Sequence, residues 1–280
     1  MVSIMNRLRT AQRVAVVKAL VEGNSIRSTV HLTGVAKNTV TKLLVELGAA
    51  CAAYQDETLK NLPCKRIQCD EIWSFIGAKA KNVTPKLREK NPEAGDAWTW
   101  TAICADTKLC VSFTVGDRTL ATAHPFMQDV ASRLRYRVQL TTDGHKPYLS
   151  AVEDAFGSDI EYATLVKLYG SDPEGEKRYS PAKCIGCVPE TITGSPDPKH
   201  ISTSYVERQN LSMRMGMRRF TRLTNGFSKK IENHMAAVAV YFMWYNFGRV
   251  HQTLRVTPAM EAGIADHPWS ADEIVNLLGQ

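Results

Sequence analysis

Residues 67–76, IQCDEIWSFI, decide how the rest of the chain is read. Ile, Trp and Phe dominate the stretch, and it breaks at Gly77, so it reads as a strand of a buried sheet. Asp70 stands inside it with Glu71 beside it. Aspartate is depleted from strand interiors and is costly to bury unpaired, so an acid at this point needs a chemical reason. Downstream, residues 98–105 and 109–115 read as two more strands, joined by Asp106, Thr107 and Lys108 as a hairpin turn. Residues 122–134 read as a helix, 137–142 as a fourth strand ending at Asp143 and Gly144, and 148–156 as a helix. Residues 78–96 read as an exposed loop. Three strands, a helix, a strand and a helix is the order of a ribonuclease-H-like sheet, although many α/β folds share it.

A long helix is expected over 205–222 with Glu207 at its start. Asp70, Asp143 and Glu207, from two strands and a helix, can converge on two divalent ions. Hard cations take oxygen ligands, and a metal pair activates an attacking oxygen while stabilising the leaving one. Each acid also has an ordinary alternative. Asp70 can pair with an arginine, Asp143 before Gly144 can be a turn residue, and Ser204-x-x-Glu207 has the spacing of a capping box.

Upstream, residues 10–22 have Val14, Val17, Leu20 and Val21 at helical spacing. Gly23 and Asn24 end that helix, Ser25 can cap a second over 26–32, and Gly34 supplies a tight turn. A third helix, 37–47, turns Val40, Leu43, Leu44 and Leu47 inward. Helix, glycine turn, helix is the helix-turn-helix layout. The outward residues Lys37, Asn38, Thr39, Thr41 and Lys42 are of the types that reach base edges and phosphates in a major groove. A plain three-helix bundle with a polar face is the alternative.

Charge agrees with a polyanion partner. The 280 residues carry a net charge of +7. Residues 1–50 and 201–234 hold seven basic and two acidic groups each, on an otherwise near-neutral chain. Basic blocks neutralise phosphates and release counterions. With 44% apolar and 22% charged residues, a mostly disordered chain is excluded. The longest apolar run, 235–245, has 11 residues, against the ~20 that a membrane-spanning helix needs. The first residues show no secretory h-region or cleavage site, so the expectation is a soluble, cytoplasmic, DNA-associated protein. Seven scattered cysteines fit reduced thiols better than a disulfide framework. Cys184 and Cys187 have metal-ligand spacing, but a zinc site usually takes four ligands, and Cys64, Cys69 or His200 would have to come close. In the expected helix, Leu211, Arg214 and Arg218 share a face that can follow a phosphate backbone, with Arg208, Arg219 and Arg222 adding charge.

Three motifs carry a family resemblance: QCDEIWSFIGAK (68–79), TTDGHKPY (141–148) and SYVERQNLSMRM (204–215). In this order the chain resembles the DDE-type insertion-sequence transposases, most of all the insertion sequence one family. Residues 224–254 resemble that family's C-terminal helical segment and TPAMEAGI its tail, so the resemblance covers about 64–265. It implies a ribonuclease-H-like fold, with Asp70, Asp143 and Glu207 as the catalytic, metal-binding triad for Mg²⁺ or Mn²⁺, two per site. It also implies cleavage of the element's DNA ends, strand transfer by the freed 3′-OH to target DNA, and a homo-oligomer on DNA. The interval between Asp143 and Glu207 is longer than the family leads one to expect, and no multi-cysteine zinc ribbon precedes the core.

The expected organisation is therefore a helix-turn-helix domain over 1–50, a linker over 51–63 (residues 49–61 read as either a helical continuation or a linker), and a catalytic domain over 64–265. That domain carries a loop insertion at about 170–200, and a tail follows over 266–280. Two rival readings are a helix-turn-helix regulator with a non-catalytic domain and a nuclease of the same fold without strand transfer.

Overall fold

A computed structural model describes residues 8–170, 184–221 and 224–279. Among the described residues, six strands form one mixed sheet: β1 (Arg66–Ile76), β2 (Gly95–Cys104), β3 (Cys110–Gly116), β4 (Gln139–Thr142), β5 (Glu161–Tyr169) and β6 (Cys184–Thr193). Their order is β3-β2-β1-β4-β5-β6. The first three make an antiparallel meander, β4 and β5 lie parallel to β1, and β6 runs back antiparallel to β5. Lys108, in a left-handed conformation at φ 62°, turns the β2–β3 hairpin.

The expected strands 67–76, 98–105, 109–115 and 137–142 are all present within a few residues. Two strands go beyond that reading. β5 has no clear sequence signature, and β6 lies within the expected loop insertion. Residues 171–183 of that insertion lie outside the described residues. β6 forms because 184–193 finds the free edge of β5, a non-local pairing that composition does not announce.

Helices cover both faces. α5 (Leu120–Arg133) and α6 (Pro147–Phe156) pack one face, where Trp100, Phe126, Met127, Leu140 and Tyr148 are fully buried. α7 (Ser204–Gly216) and α8 (Ile231–Met243) pack the other through Ile72, Ile103, Val206, Met213, Val238 and Phe242. α7 is shorter than expected. It stops at Gly216, and Arg218 lies in a following 3-10 turn, Arg218–Phe220. Arg218 therefore does not extend the helical face of Leu211 and Arg214. Arg222, the expected end, lies outside the described residues. A small exposed helix, α4 (Pro85–Lys90), capped by Thr84, interrupts the expected loop over 78–96.

Three helices precede the sheet: α1 (Thr10–Val21), α2 (Ile26–Thr33) and α3 (Lys37–Thr58). The Ser25 hydroxyl accepts the Ser28 N–H at 3.0 Å, and Gly34 closes α2 at φ 69°. α3 runs eleven residues past Leu47, so of the two readings of residues 49–61 the helical continuation is the one observed. Burial is the reason: Leu47, Gly48, Cys51 and Gln55 lie on one face against α8. A Cβ on Gly48 would stand 2.5 Å from Ala236 Cα, so the two backbones meet where only glycine fits. Gln55 crosses the contact, donating to the Ala239 carbonyl at 3.3 Å.

The expected tail is structured too. After the short helix α9 (Pro258–Glu261), α10 (Ala271–Asn276) begins at a Ser270–Glu273 capping box. It packs on α1 through buried Ile274 and Val275. Among the described residues, no helix is long and apolar enough to cross a membrane.

The α3–α8 crossing makes a direct prediction. Gly48→Val should destabilise the protein by about 1–3 kcal/mol through overpacking, measured by denaturant unfolding. Ala49→Val, at the exposed neighbouring position, should shift it by less than about 0.5 kcal/mol.

Candidate metal centre

Adjacent residues of a strand face opposite sides of its sheet. Asp70 points to the α7 side, where its Oδ2 accepts the Asn210 Nδ2–H at 2.8 Å. Its Oδ1 accepts the Glu71 backbone N–H at 2.8 Å. Glu71 points to the α6 side with a fully buried side chain. Asp143 follows β4 directly. Because Cys69 pairs with Thr142 in the parallel ladder, Asp143 arrives beside Asp70. Asp143 Oδ1 accepts the His145 backbone N–H at 2.9 Å, which fixes the turn after the strand. Carboxylate oxygens of Asp70, Glu71 and Asp143 lie within 4.8 Å of one another.

Arg118, just past β3, bridges two of them. Its Nε donates to Glu71 Oε2 and its Nη2 to Asp143 Oδ2, each at 3.3 Å. Its guanidinium also lies 4.9 Å over the Trp98 ring. One cation does not balance three acids. Burial, then the Asp143 charge, pushes the Asp70 carboxyl up to about 7, with Glu207 adding to the rise. Burial, then Asp143 and Asp70, pushes Glu71 up to about 8 against the pull of Arg118.

Glu207 stands in the first turn of α7 and outside the 4.8 Å cluster. It accepts the Thr203 hydroxyl and pairs with Lys167 of β5. The Ser204 capping box is not formed: Thr203 is the residue preceding the helix, and no side chain caps it. The sheet does that work instead. Gln68 Oε1 accepts the backbone N–H groups of Tyr205 at 2.8 Å and Val206 at 3.2 Å.

The donor set fits a hard divalent ion. It is all carboxylate oxygen, and Glu71 Oε1 and Asn210 Oδ1 are buried acceptors without a hydrogen-bond partner. The cysteines form no such set among the described residues. Cys184 and Cys187 are exposed on β6, Cys64 and Cys69 are buried in the core, and His200 bonds Arg66 at 2.6 Å.

The expected DNA-contacting residues fall in two places. On α3, Lys37, Asn38 and Lys42 are exposed and Thr39 and Thr41 half-buried. The Thr41 hydroxyl donates back to the Lys37 carbonyl at 3.0 Å, and Lys42 faces Glu46 at 3.6 Å. Arg208 and Arg218 are exposed and Arg214 is half-buried, on α7 and the turn after it. The sequence reading missed Arg118, Lys167, Asn210 and the part played by Glu71. Asn210 had a signal, since it follows Glu207 by one helical turn. Arg118 and Lys167 meet their partners only through the fold.

The raised carboxyls set the sign of a pH effect. Unfolded, Glu71 releases its proton near pH 4.3; folded, it keeps it to about 8. Between those values the folded state binds more protons, so this group costs stability as pH rises. Without divalent ions, the melting temperature of wild type should fall between pH 5 and 8.5 by more than that of Glu71→Gln. Mg²⁺ should recover more of the loss at pH 8.5 than at pH 5. Calorimetry at both pH values checks this, and equal slopes for the two proteins would contradict the charge balance described.

No protein-family model matches the chain, and no curated protein matches it. Among solved structures it is similar to the Mos1 transposase paired-end complex with left transposon end, at 12% identity and TM-score 0.26. That match covers 58% of this chain and 60% of the other, so the chain spans about three-fifths of the Mos1 protein's length. It is also similar to the piggyBac transposase in a synaptic complex with hairpin DNA, at 11% identity and TM-score 0.43, covering 96% of this chain and 69% of that one.

Proposed function

We propose that the chain is a DDE-type DNA transposase of an insertion element, with a ribonuclease-H-like catalytic core. The observation that carries the reading is the meeting of Asp70 and Asp143 at neighbouring positions of parallel strands β1 and β4, with the Glu207 helix tied to β1 through Gln68. The strand order β3-β2-β1-β4-β5 and the three motifs around these acids support it.

Asp70, Asp143 and Glu207 would hold divalent ions, Mg²⁺ or Mn²⁺ and two per site. Bound there, the ions would supply Lewis-acid chemistry: a lower pKa for the attacking oxygen and charge neutralisation at the phosphodiester. The chain's own groups prepare that site. Asn210 holds the Asp70 carboxylate in orientation, and the His145 amide holds that of Asp143. Lys167 and Thr203 hold the Glu207 carboxylate in place at the helix start. Arg118 offsets charge between Glu71 and Asp143. Water and then a DNA 3′-OH serve as nucleophiles, so no side chain becomes bonded to DNA.

Recognition divides between two surfaces in this reading. The helix-turn-helix of α2 and α3 reads the element ends through Lys37, Asn38, Thr39, Thr41 and Lys42. Arg208, Arg214 and Arg218 hold phosphates on double-stranded DNA, end and target alike. A homo-oligomer brings two ends together.

Purified protein should nick a duplex carrying the element end only with Mg²⁺ or Mn²⁺ and join the freed 3′ end to a second duplex. Cleavage without joining would leave a nuclease, and end binding without cleavage a regulator. Asp70→Asn, Asp143→Asn and Glu207→Gln should each abolish cleavage and spare DNA binding. Asn210→Ala should lower it by roughly 10–100-fold, the usual cost of removing a group that orients a metal ligand.

Asn38→Ala should cut discrimination between end and random DNA by about 1–3 kcal/mol if it makes a bidentate adenine contact. Arg214→Ala should weaken binding to both DNAs alike and flatten the salt slope by about 1. Footprinting and salt titration separate the two effects.

A further inference from the structure

The β2–β3 turn, α7 and the segment after α8 bring basic side chains together. Lys108 Nζ lies 3.5 Å from the centroid of the Tyr205 ring. Its carbonyl accepts the Tyr245 hydroxyl at 2.9 Å, which ties the turn to the end of α8. One π-helical turn, Trp244–Gly248, carries the chain from there to exposed Arg249. His251 follows, held by its N–H to the Val256 carbonyl at 2.9 Å and by Thr253 at its Nδ1, 3.0 Å away. Exposed Arg208 stands one turn after Tyr205 on α7. The protonated form of His251 is disfavoured by burial first, and then by the charges of Lys108, Arg249 and Arg208.

Nothing in the described chain balances them. Arg66, Arg118, Arg133 and Arg137 each have carboxylate partners. Among the described residues, none of the ion pairs involves Lys108, Arg208 or Arg249, although Lys108 Nζ donates to the Ala105 carbonyl of its own turn. Like charges gathered without a counter-charge work against the compact state, and such a patch suits an external anion. A solvated basic face would not need the convergence of three segments.

We propose that Lys108, Arg208, Arg249 and His251, with Tyr205 as the floor, form a phosphate-gripping site for the backbone of duplex DNA. The assignment rests on the reading of the chain as a DNA-processing enzyme and adds to it a second anchor. Arg208 directly follows Glu207, so this anchor lies on the α7 side of the carboxylates. The contact is to backbone phosphate and therefore indifferent to sequence.

The test uses the full chain, a short duplex of arbitrary sequence, a chelator to prevent cleavage, and a salt titration. Lys108→Ala with Arg249→Ala should weaken binding about tenfold and lower the slope of log affinity against log salt by about 1.8, or 0.9 per phosphate lost. Lys108→Arg with Arg249→Lys should restore the slope, which separates charge from damage to the fold. As a control, Lys86→Ala with Arg88→Ala on α4 should leave the slope unchanged. An unaltered slope in the Lys108–Arg249 pair would overturn the proposal even if wild type cleaves element ends. So would a loss seen with duplex RNA alone. A reduced slope in a protein that never cleaves DNA would support the anchor and refute the transposase reading.

Discussion

Gln68 is buried in the central strand, and its side-chain oxygen takes the backbone N–H groups of Tyr205 and Val206. The first amides of a helix have no partner within it, so α7 must find acceptors outside. It finds them two residues from Asp70 on the same face of β1. Every later feature of the centre follows from that attachment. Glu207 lies within electrostatic reach of Asp70, Asn210 hydrogen-bonds it, and Lys167 on β5 meets Glu207 from the side. A helix docked only through Val206 and Met213 could slide; one held by two amide bonds has a fixed register.

Charge balance is the second constraint. Asp70 and Glu71 are neighbours in the chain but face opposite sides, and Asp143 at the end of β4 is close to both. Arg118 relieves only the Glu71–Asp143 side. The Asp70 side has a neutral amide, Asn210. The centre is therefore under-neutralised in a directed way, and the missing charge lies on the α7 side, toward Glu207. The phosphate site inferred at Lys108 and Arg249 is its counterpart: excess positive charge held near α7 without internal acids.

What the sequence made legible was local. Ser25 and Gly34 mark the ends of α2 because caps and left-handed turns have strong residue preferences. β1 to β4 are legible from Ile, Val, Trp and Phe runs broken by turn residues. Asp70 and Asp143 stand out because acids are misplaced at such positions, and the motif resemblance named them together with Glu207. What stayed hidden depends on distant partners. The sequence leaves α3 beyond Leu47 as helix or linker, and the cover of α8 decides it; β6 exists because β5 has a free edge, and α10 is ordered by α1. The part of Glu71 is hidden in the sequence because strand alternation sends it away from Asp70; only the position of Asp143 at the strand end brings both within reach.

The unbroken course of α3 has a mechanical consequence. Its first turn bears Lys37 and Asn38, and its last turns are locked on α8 at Gly48 and Gln55. Twenty-two residues of helix span ~33 Å, close to the ~34 Å of one turn of DNA. Such a rod acts as a ruler rather than a tether. On the proposed function, the distance from the bases read to the bond cut is set by a fixed length of protein, with no swivel to absorb an added base pair.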